Sequence, residues 1–226
     1  MNRSISIVLL LACSLMTHAG EVLDRTVAMV NGRVILLSDW NDELHIESLM
    51  QDRKISEMNA DDKKSVLDHL IDQELLREQM RTAESKPVAP EKVARQLGAV
   101  KEGVLRAHVG QKWEAILSQY GLSEKLVSDH VAAELQALEF IGARFRPSVQ
   151  VMPAEIEEYY KNELVPKLPP SDPVNLSEVA PKIREILVQK KIDQMLATWL
   201  QGLRSQAQIR ILSGPAASSS SQGAAQ

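Results

Sequence analysis

Apolar and polar positions along the chain change period several times, and each change marks an element. From Thr26 to Leu37, TVAMVNGRVILL sets Asn31-Gly32 between two β-branched, apolar runs. Asn-Gly tolerates the positive φ angles of a two-residue turn, so a short β-hairpin is predicted. The period then lengthens. Trp40, Leu44, Ile46, Leu49 and Met50 recur near helical spacing after Ser38, a candidate cap, with Asp39, Asp42 and Glu43 in the first turn where the helix dipole favours them. A second helix is predicted from Asn59, followed by Asp61 and Asp62, with Val66, Leu67, Leu70, Ile71, Leu75 and Met80 as one apolar stripe and Pro87 as its end.

Pro90 suits the first position of a third helix, which carries Val93, Leu97, Val100 and Val104 on one face. A short helix around Trp113, Ile116, Leu117 and Tyr120 stops at Gly121. Ser123 caps the next, which bears Leu126, Val127, Val131, Leu135, Leu138, Phe140, Ile141 and Phe145 and ends at Pro147. Pro153 opens a short helix through Ile156, Tyr159 and Tyr160, and Pro166 to Asn175 reads as an extended linker. Asn175 with Glu178 resembles a capping box for a helix from about Ser177 to Ala207, on the order of 45 Å long, which favours an elongated molecule. Gln208 to Leu212 returns to a period of two, a short strand. Neither it nor the hairpin is stable alone, so the two are expected to pair into a three-stranded sheet joining distant parts of the chain. The fold class is therefore mainly α, a multi-helix module with a small sheet. Residues 213–226 have little to bury and are expected to be disordered.

The first nineteen residues differ in kind. Arg3 precedes an apolar run from Ile5 to Ala12, and Thr17-His18-Ala19 offers small residues at a cleavage site, the pattern of a secretory signal peptide. A rival reading takes Leu10-Leu11-Ala12-Cys13 as a bacterial lipobox, leaving a lipidated Cys13 as anchor. No later stretch approaches about 18 consecutive apolar residues, so no transmembrane helix is expected beyond it. Composition fits a helix-rich globular chain: 226 residues, 44% hydrophobic, 25% charged and only 4% aromatic. Net charge is −4, and loss of Arg3 with the signal makes it −5, so no whole-molecule positive field draws the protein to nucleic acid. The single cysteine leaves no pair for a disulfide or a cysteine zinc site.

Catalytic patterns are missing from the sequence. Gly110-Gln111-Lys112 lacks the spacing of a phosphate-binding loop, and no Gly-x-Ser-x-Gly elbow occurs. His45, His69, His108 and His130 are scattered without metal-ligand spacing. His45 with Glu47, or His69 with Asp72, could act together, against the plainer reading of surface histidines. No cofactor and no metal are expected. Eight acidic residues between Asp39 and Asp62 and five basic ones between Lys182 and Arg204 suggest either docking of the first helices beside the last, or ordinary solvated faces.

The opening EVLDRTVAMVNGRVILLSDW, the helix LDHLIDQELLREQM and the ending WLQGLRSQAQIRIL resemble the SurA-type periplasmic chaperones. That resemblance spans Glu21 to Leu212 and implies a helical module opened by a hairpin and completed by a distant C-terminal helix and strand. It divides the chain into a signal (1–19), a chaperone module (20–212, of which 20–164 is the N-terminal part and 176–212 the closing helix and strand) and a tail (213–226). The family usually inserts parvulin-type prolyl isomerase domains before the last helix. Here that place holds eleven residues, Val165 to Asn175, where even a small domain needs about 50. The resemblance therefore implies a chaperone module without catalysis. It also implies a Gram-negative periplasm and unfolded polypeptides, chiefly outer-membrane protein precursors, as partners.

Such binding needs no nucleotide, since holding an unfolded chain suppresses aggregation by mass action. It needs an apolar, adaptable, accessible surface. Trp113, Tyr120, Phe140 and Phe145 are the aromatic candidates, with Met50, Met80 and Met152 beside them. Helical spacing equally predicts burial of the same residues, so core packing competes with client binding at each. Two other functions stay open: a prolyl isomerase of the SurA or parvulin class, and a non-catalytic scaffold for one folded partner.

Overall fold

The computed structural model describes residues 24–167 and 174–212. The signal with Cys13, most of the linker and the tail from 213 lie outside these. Among the described residues the order is β1 (Thr26–Val30), β2 (Arg33–Leu36), α1 (Leu37–Met50), α2 (Ala60–Thr82), α3 (Pro90–Ala107), α4 (Trp113–Gln119), α5 (Glu124–Phe145), α6 (Pro153–Tyr159), α7 (Leu176–Gln206) and β3 (Ile209–Ile211).

The sheet forms as its pattern predicts, antiparallel throughout, in the order β2-β1-β3. Asn31 and Gly32 take φ of 49° and 82°, the two positive angles of the hairpin turn. Asn31 does more than turn the chain. Its amide donates to the Gln208 carbonyl at 3.0 Å and its Oδ1 accepts from the Gln208 amide at 2.8 Å, while Nδ2 donates to Glu78 of α2 at 2.8 Å. One turn residue thus ties the hairpin to β3 and to α2.

Helix boundaries follow cap chemistry, with several corrections. α1 starts at Leu37, directly off β2, so Ser38 lies inside the first turn rather than capping it. The Asp39 carboxylate accepts the Leu36 amide at 2.9 Å, and Asp24 accepts from both the amide and the hydroxyl of Ser38. α2 begins with a reciprocal box, Asn59 and Asp62 each accepting the other's amide at 2.9 Å. Pro87 does not end α2. The chain leaves the helix after Thr82, where Glu84 takes φ of 50° and the Ser85 amide closes on the Met80 carbonyl at 2.9 Å, a left-handed cap that needs no proline. Gly121 follows α4 as its sequence predicts, with φ of 68° and the same closing bond, Leu122 amide to Leu117 carbonyl at 2.8 Å. α6 runs on through a π turn (Tyr160–Leu164) into a 3-10 turn (Val165–Lys167), so the expected linker is helical at its start. Asn175 caps α7 on the Ser177 amide at 3.3 Å rather than through a box with Glu178, and the helix absorbs Pro181 in its second turn.

Three apolar clusters form the interior. The first joins the sheet, α1 and α2 through Val27, Val30, Trp40, Leu44, Leu67 and Ile71, with Leu203 and Ile209 packed on it. The second joins α1 to α4 and α5 through Ile46, Leu49, Trp113, Ile116, Tyr120 and Val127, covered by the half-buried face of α3. The third joins α2, α5 and α7 through Leu76, Ile141, Phe145 and Ile192. α1 therefore buries two faces, Trp40 and Leu44 in one cluster and Ile46 and Leu49 in the next.

The charged faces pair differently from the docking idea. Arg204 of α7 meets Asp72 at 2.5 Å and Asp68 at 3.6 Å, both on α2 and beyond the acidic stretch that ends at Asp62. Lys191 meets Glu155 of α6 at 2.8 Å. The last helix is thus anchored by α2 and α6, because the packing brings those helices to it.

Candidate functional site

Burial sorts the seven candidate residues. Trp113, at 2% exposure, is interior; its Nε1 donates to Glu124 at 2.8 Å. Tyr120 is also buried. It donates its hydroxyl to Asp52 at 2.7 Å, and burial, reinforced by that acceptor, pushes its phenol up to about 12. Trp113 and Tyr120 are core side chains and cannot form an open client surface, because the fold turns both inward. Phe145 is buried in the third cluster, while Phe140 and Met80 are half-buried against it. Met50 and Met152 are exposed, but on different parts of the fold: Met50 flanks a small recess between α1 and α3, and Met152 precedes α6.

The third cluster is left partly open. Its core residues come from three helices, and around them Phe140, Val149, Val188, Leu196 and Trp199 are only partly buried. A groove of about 760 Å³ opens between the segment joining α5 to α6 and one side of α7. Phe145, Val149, Met195 and Trp199 give it an apolar floor, with Gln150, Lys191, Gln194 and Thr198 also lining it. Trp199 meets Phe145 edge-on, ring centres 5.6 Å apart at 73°, and Phe140 at 6.3 Å. The Arg144 guanidinium lies 4.3 Å over the Trp199 ring.

The α5–α6 wall of the groove is pinned. Lys191 donates to the Gln150 carbonyl at 2.6 Å and to Glu155, whose carboxyl its ammonium holds below the usual carboxylate range. Arg184 donates to the Val151 carbonyl at 3.3 Å. Of the candidates, Phe145 lines this groove, Phe140 and Met80 pack in the cluster beneath it, and Met152 follows two residues after Gln150. Trp113 and Tyr120 belong to the second cluster, with Met50 at its edge. Sequence reasoning missed Trp199, Met195, Val149 and Arg144. For Trp199 and Met195 one signal exists, since α7 carries apolar residues on more than one face; Val149 and Arg144 lie outside α7 and carry none.

The histidines also depart from expectation. His130 is largely enclosed, with Nδ1 3.3 Å from Glu43 and Nε2 3.3 Å from Glu134, and His69 lies 3.8 Å from Glu43. Burial opposes the charge of His130, yet the hydrogen bonds to Glu134 and Glu43 prevail and raise its pKa to about 10. An imidazole protonated at neutral pH is an ionic link between α1 and α5, unsuited to act as a general base. The sequence pairs His45–Glu47 and His69–Asp72 do not form. His45 Nδ1 instead reaches the Tyr120 carbonyl at 2.6 Å, and His69 bonds Gln73.

Among the described residues no group of three His, Cys, Asp or Glu side chains is arranged to hold a metal, and no helix is long and apolar enough to cross a membrane. The apolar groove along α7 is the site with the clearest capacity to bind. Compared with protein-family models and with curated proteins, the chain matches none.

Proposed function

We propose that this protein is an ATP-independent holdase of the SurA type, lacking isomerase domains, that binds unfolded exported polypeptides in the periplasm of a Gram-negative bacterium. Outer-membrane protein precursors are its main clients in this reading. One observation carries it: the third apolar cluster opens as the roughly 760 Å³ groove floored by Phe145, Val149, Met195 and Trp199. Aromatic and methionine side chains fit many apolar segments, because thioethers adapt and rings present large area at little entropic cost. Gln150, Gln194 and Thr198 beside them offer hydrogen bonds to a backbone that has no partners of its own. The resemblance in the hairpin, the second helix and the closing helix and strand supplies the compartment and the client class.

The test is suppression of aggregation. Purified mature protein, mixed at equal concentration with a chemically denatured outer-membrane protein and no nucleotide, is expected to slow light scattering where an inert protein does not. Failure across several clients removes the holdase. Capture of one stoichiometric folded partner would favour a scaffold, and acceleration of proline isomerisation in a protease-coupled peptide assay would favour an enzyme.

A further inference from the structure

Arg144 sits on the last turn of α5 under an unusual combination of constraints. Its guanidinium is stacked over Trp199 at 4.3 Å and approaches Phe145 at 5.6 Å, so it is held against the aromatic floor of the groove. The side chain is exposed, and among the described residues it forms no ion pair and no hydrogen bond. Three carboxylates on neighbouring elements are committed elsewhere: Glu139 to Lys92 at 2.6 Å, Glu155 to Lys191 at 2.8 Å, and Glu185 to Arg146. A second concavity, about 610 Å³, has Arg144 in its wall together with Lys86, Pro87, Phe140 and Glu139, the last paired with Lys92. Arg144 therefore lines the second concavity and stacks on Trp199 and near Phe145, two residues that line the groove, and among the described residues no carboxylate neutralises it.

Stacking leaves the edge of a guanidinium free, and that edge is a rigid fork of N–H donors matched to a carboxylate. A ligand group placed there would be met by donors already oriented, with little side-chain freedom left to lose. From this geometry we propose that Arg144 receives a carboxylate of the bound polypeptide, so that the groove selects apolar segments carrying an acidic group beside them. This rests on the reading of the groove as a polypeptide site. The carboxylate can come from an Asp or Glu side chain or from a free chain terminus; both present the same two oxygens. Lys86 adds a second positive charge on the same side, which complements an anionic segment and disfavours a basic one.

The test uses three fluorescein-labelled apolar peptides of one sequence: an uncharged C-terminal amide, the same peptide as a free C-terminal acid, and the amide with one internal Asp. Anisotropy titrations compare the mature protein with Arg144→Gln and Arg144→Lys. At least one acidic peptide is expected to bind the native protein about tenfold more tightly than the neutral amide, the scale of a charge-assisted hydrogen-bonded pair. In Arg144→Gln that advantage should vanish while the neutral peptide's affinity changes by less than about twofold, and Arg144→Lys should keep only part of it. Comparing the free acid with the Asp peptide identifies the source of the carboxylate. Equal binding of acidic and neutral peptides by the native protein, or an advantage that survives Arg144→Gln, overturns the proposal and leaves the holdase reading standing. Absence of binding by all three, including the neutral peptide, overturns both.

Discussion

Replacing Trp113 or Trp199 with Ala separates core from groove, because the two side chains differ in burial while sharing chemistry. Trp113 is 2% exposed in the second cluster, and its removal leaves a cavity between α4, α5 and α1. Such a truncation costs about 3–5 kcal/mol. The hydrogen bond to Glu124 adds little, since that residue is exposed and water replaces the indole. With about 2–4 °C per kcal/mol for a domain of this size, Tm should fall by roughly 6–20 °C. Trp199 is half-buried and on the groove, so Trp199→Ala should cost half as much, roughly 1.5–2.5 kcal/mol. Far-UV circular dichroism reads both, as it does not depend on the tryptophan removed. At a temperature where both variants are folded, Trp113→Ala should still suppress client aggregation and Trp199→Ala should lose most of it. A Trp113→Ala variant with unchanged Tm and lost suppression would refute the assignment of Trp113 to the core.

Other consequences follow from individual contacts. Gly121→Ala should destabilise by about 1–2 kcal/mol, since φ is 68° and a Cβ would stand 3.1 Å from the His45 ring; urea denaturation measures it. Asn31→Ala should cost about 2 kcal/mol by removing two side-chain bonds and a left-handed residue, and hydrogen exchange should show β3 losing protection before α5 does. His130 has a folded pKa of about 10 against 6.5, so its contribution to stability is full below about pH 6.5 and is lost as pH rises toward 10. Glu134 is lowered by its hydrogen bond to His130, so its share is present above its ordinary range and is lost on acidification. Urea midpoints should therefore fall between about pH 6 and 10 in the native protein, and fall less in His130→Gln; equal slopes would contradict the ionic link.

The sheet and most of the helices were legible because short-range chemistry dictates them. Asn31-Gly32 has few alternatives to a tight turn, Asn59 with Asp62 has a defined reciprocal geometry, and Gly121 supplies the positive φ at which α4 ends. The closing strand could be paired with the hairpin because neither element is stable alone. Boundaries set by non-local partners were not legible. Asp24, fourteen residues before Ser38, accounts for the start of α1. Glu84 adopts a left-handed cap that its residue type does not advertise. Exposure of the candidate side chains was hidden for the same reason. An apolar residue at helical spacing faces some neighbour, but whether that neighbour covers it depends on packing between helices distant in sequence. Trp113 and Tyr120 are covered by α1 and α5, whereas Trp199, packed against α5 on one side, is left half-buried where the groove opens. His130 likewise could not be told from a surface histidine until α1 brought Glu43 to it.

Whether clients lie in the groove is decided at Met195. It lines the groove at 36% exposure, so Met195→Glu should place a charge on the apolar floor while shifting stability within about 1 kcal/mol. Aggregation of a denatured outer-membrane protein, followed by light scattering without nucleotide, should be slowed by the native protein and scarcely slowed by the variant at equal Tm. Full suppression by a folded Met195→Glu protein would show that clients bind elsewhere and would contradict the groove as the holdase site.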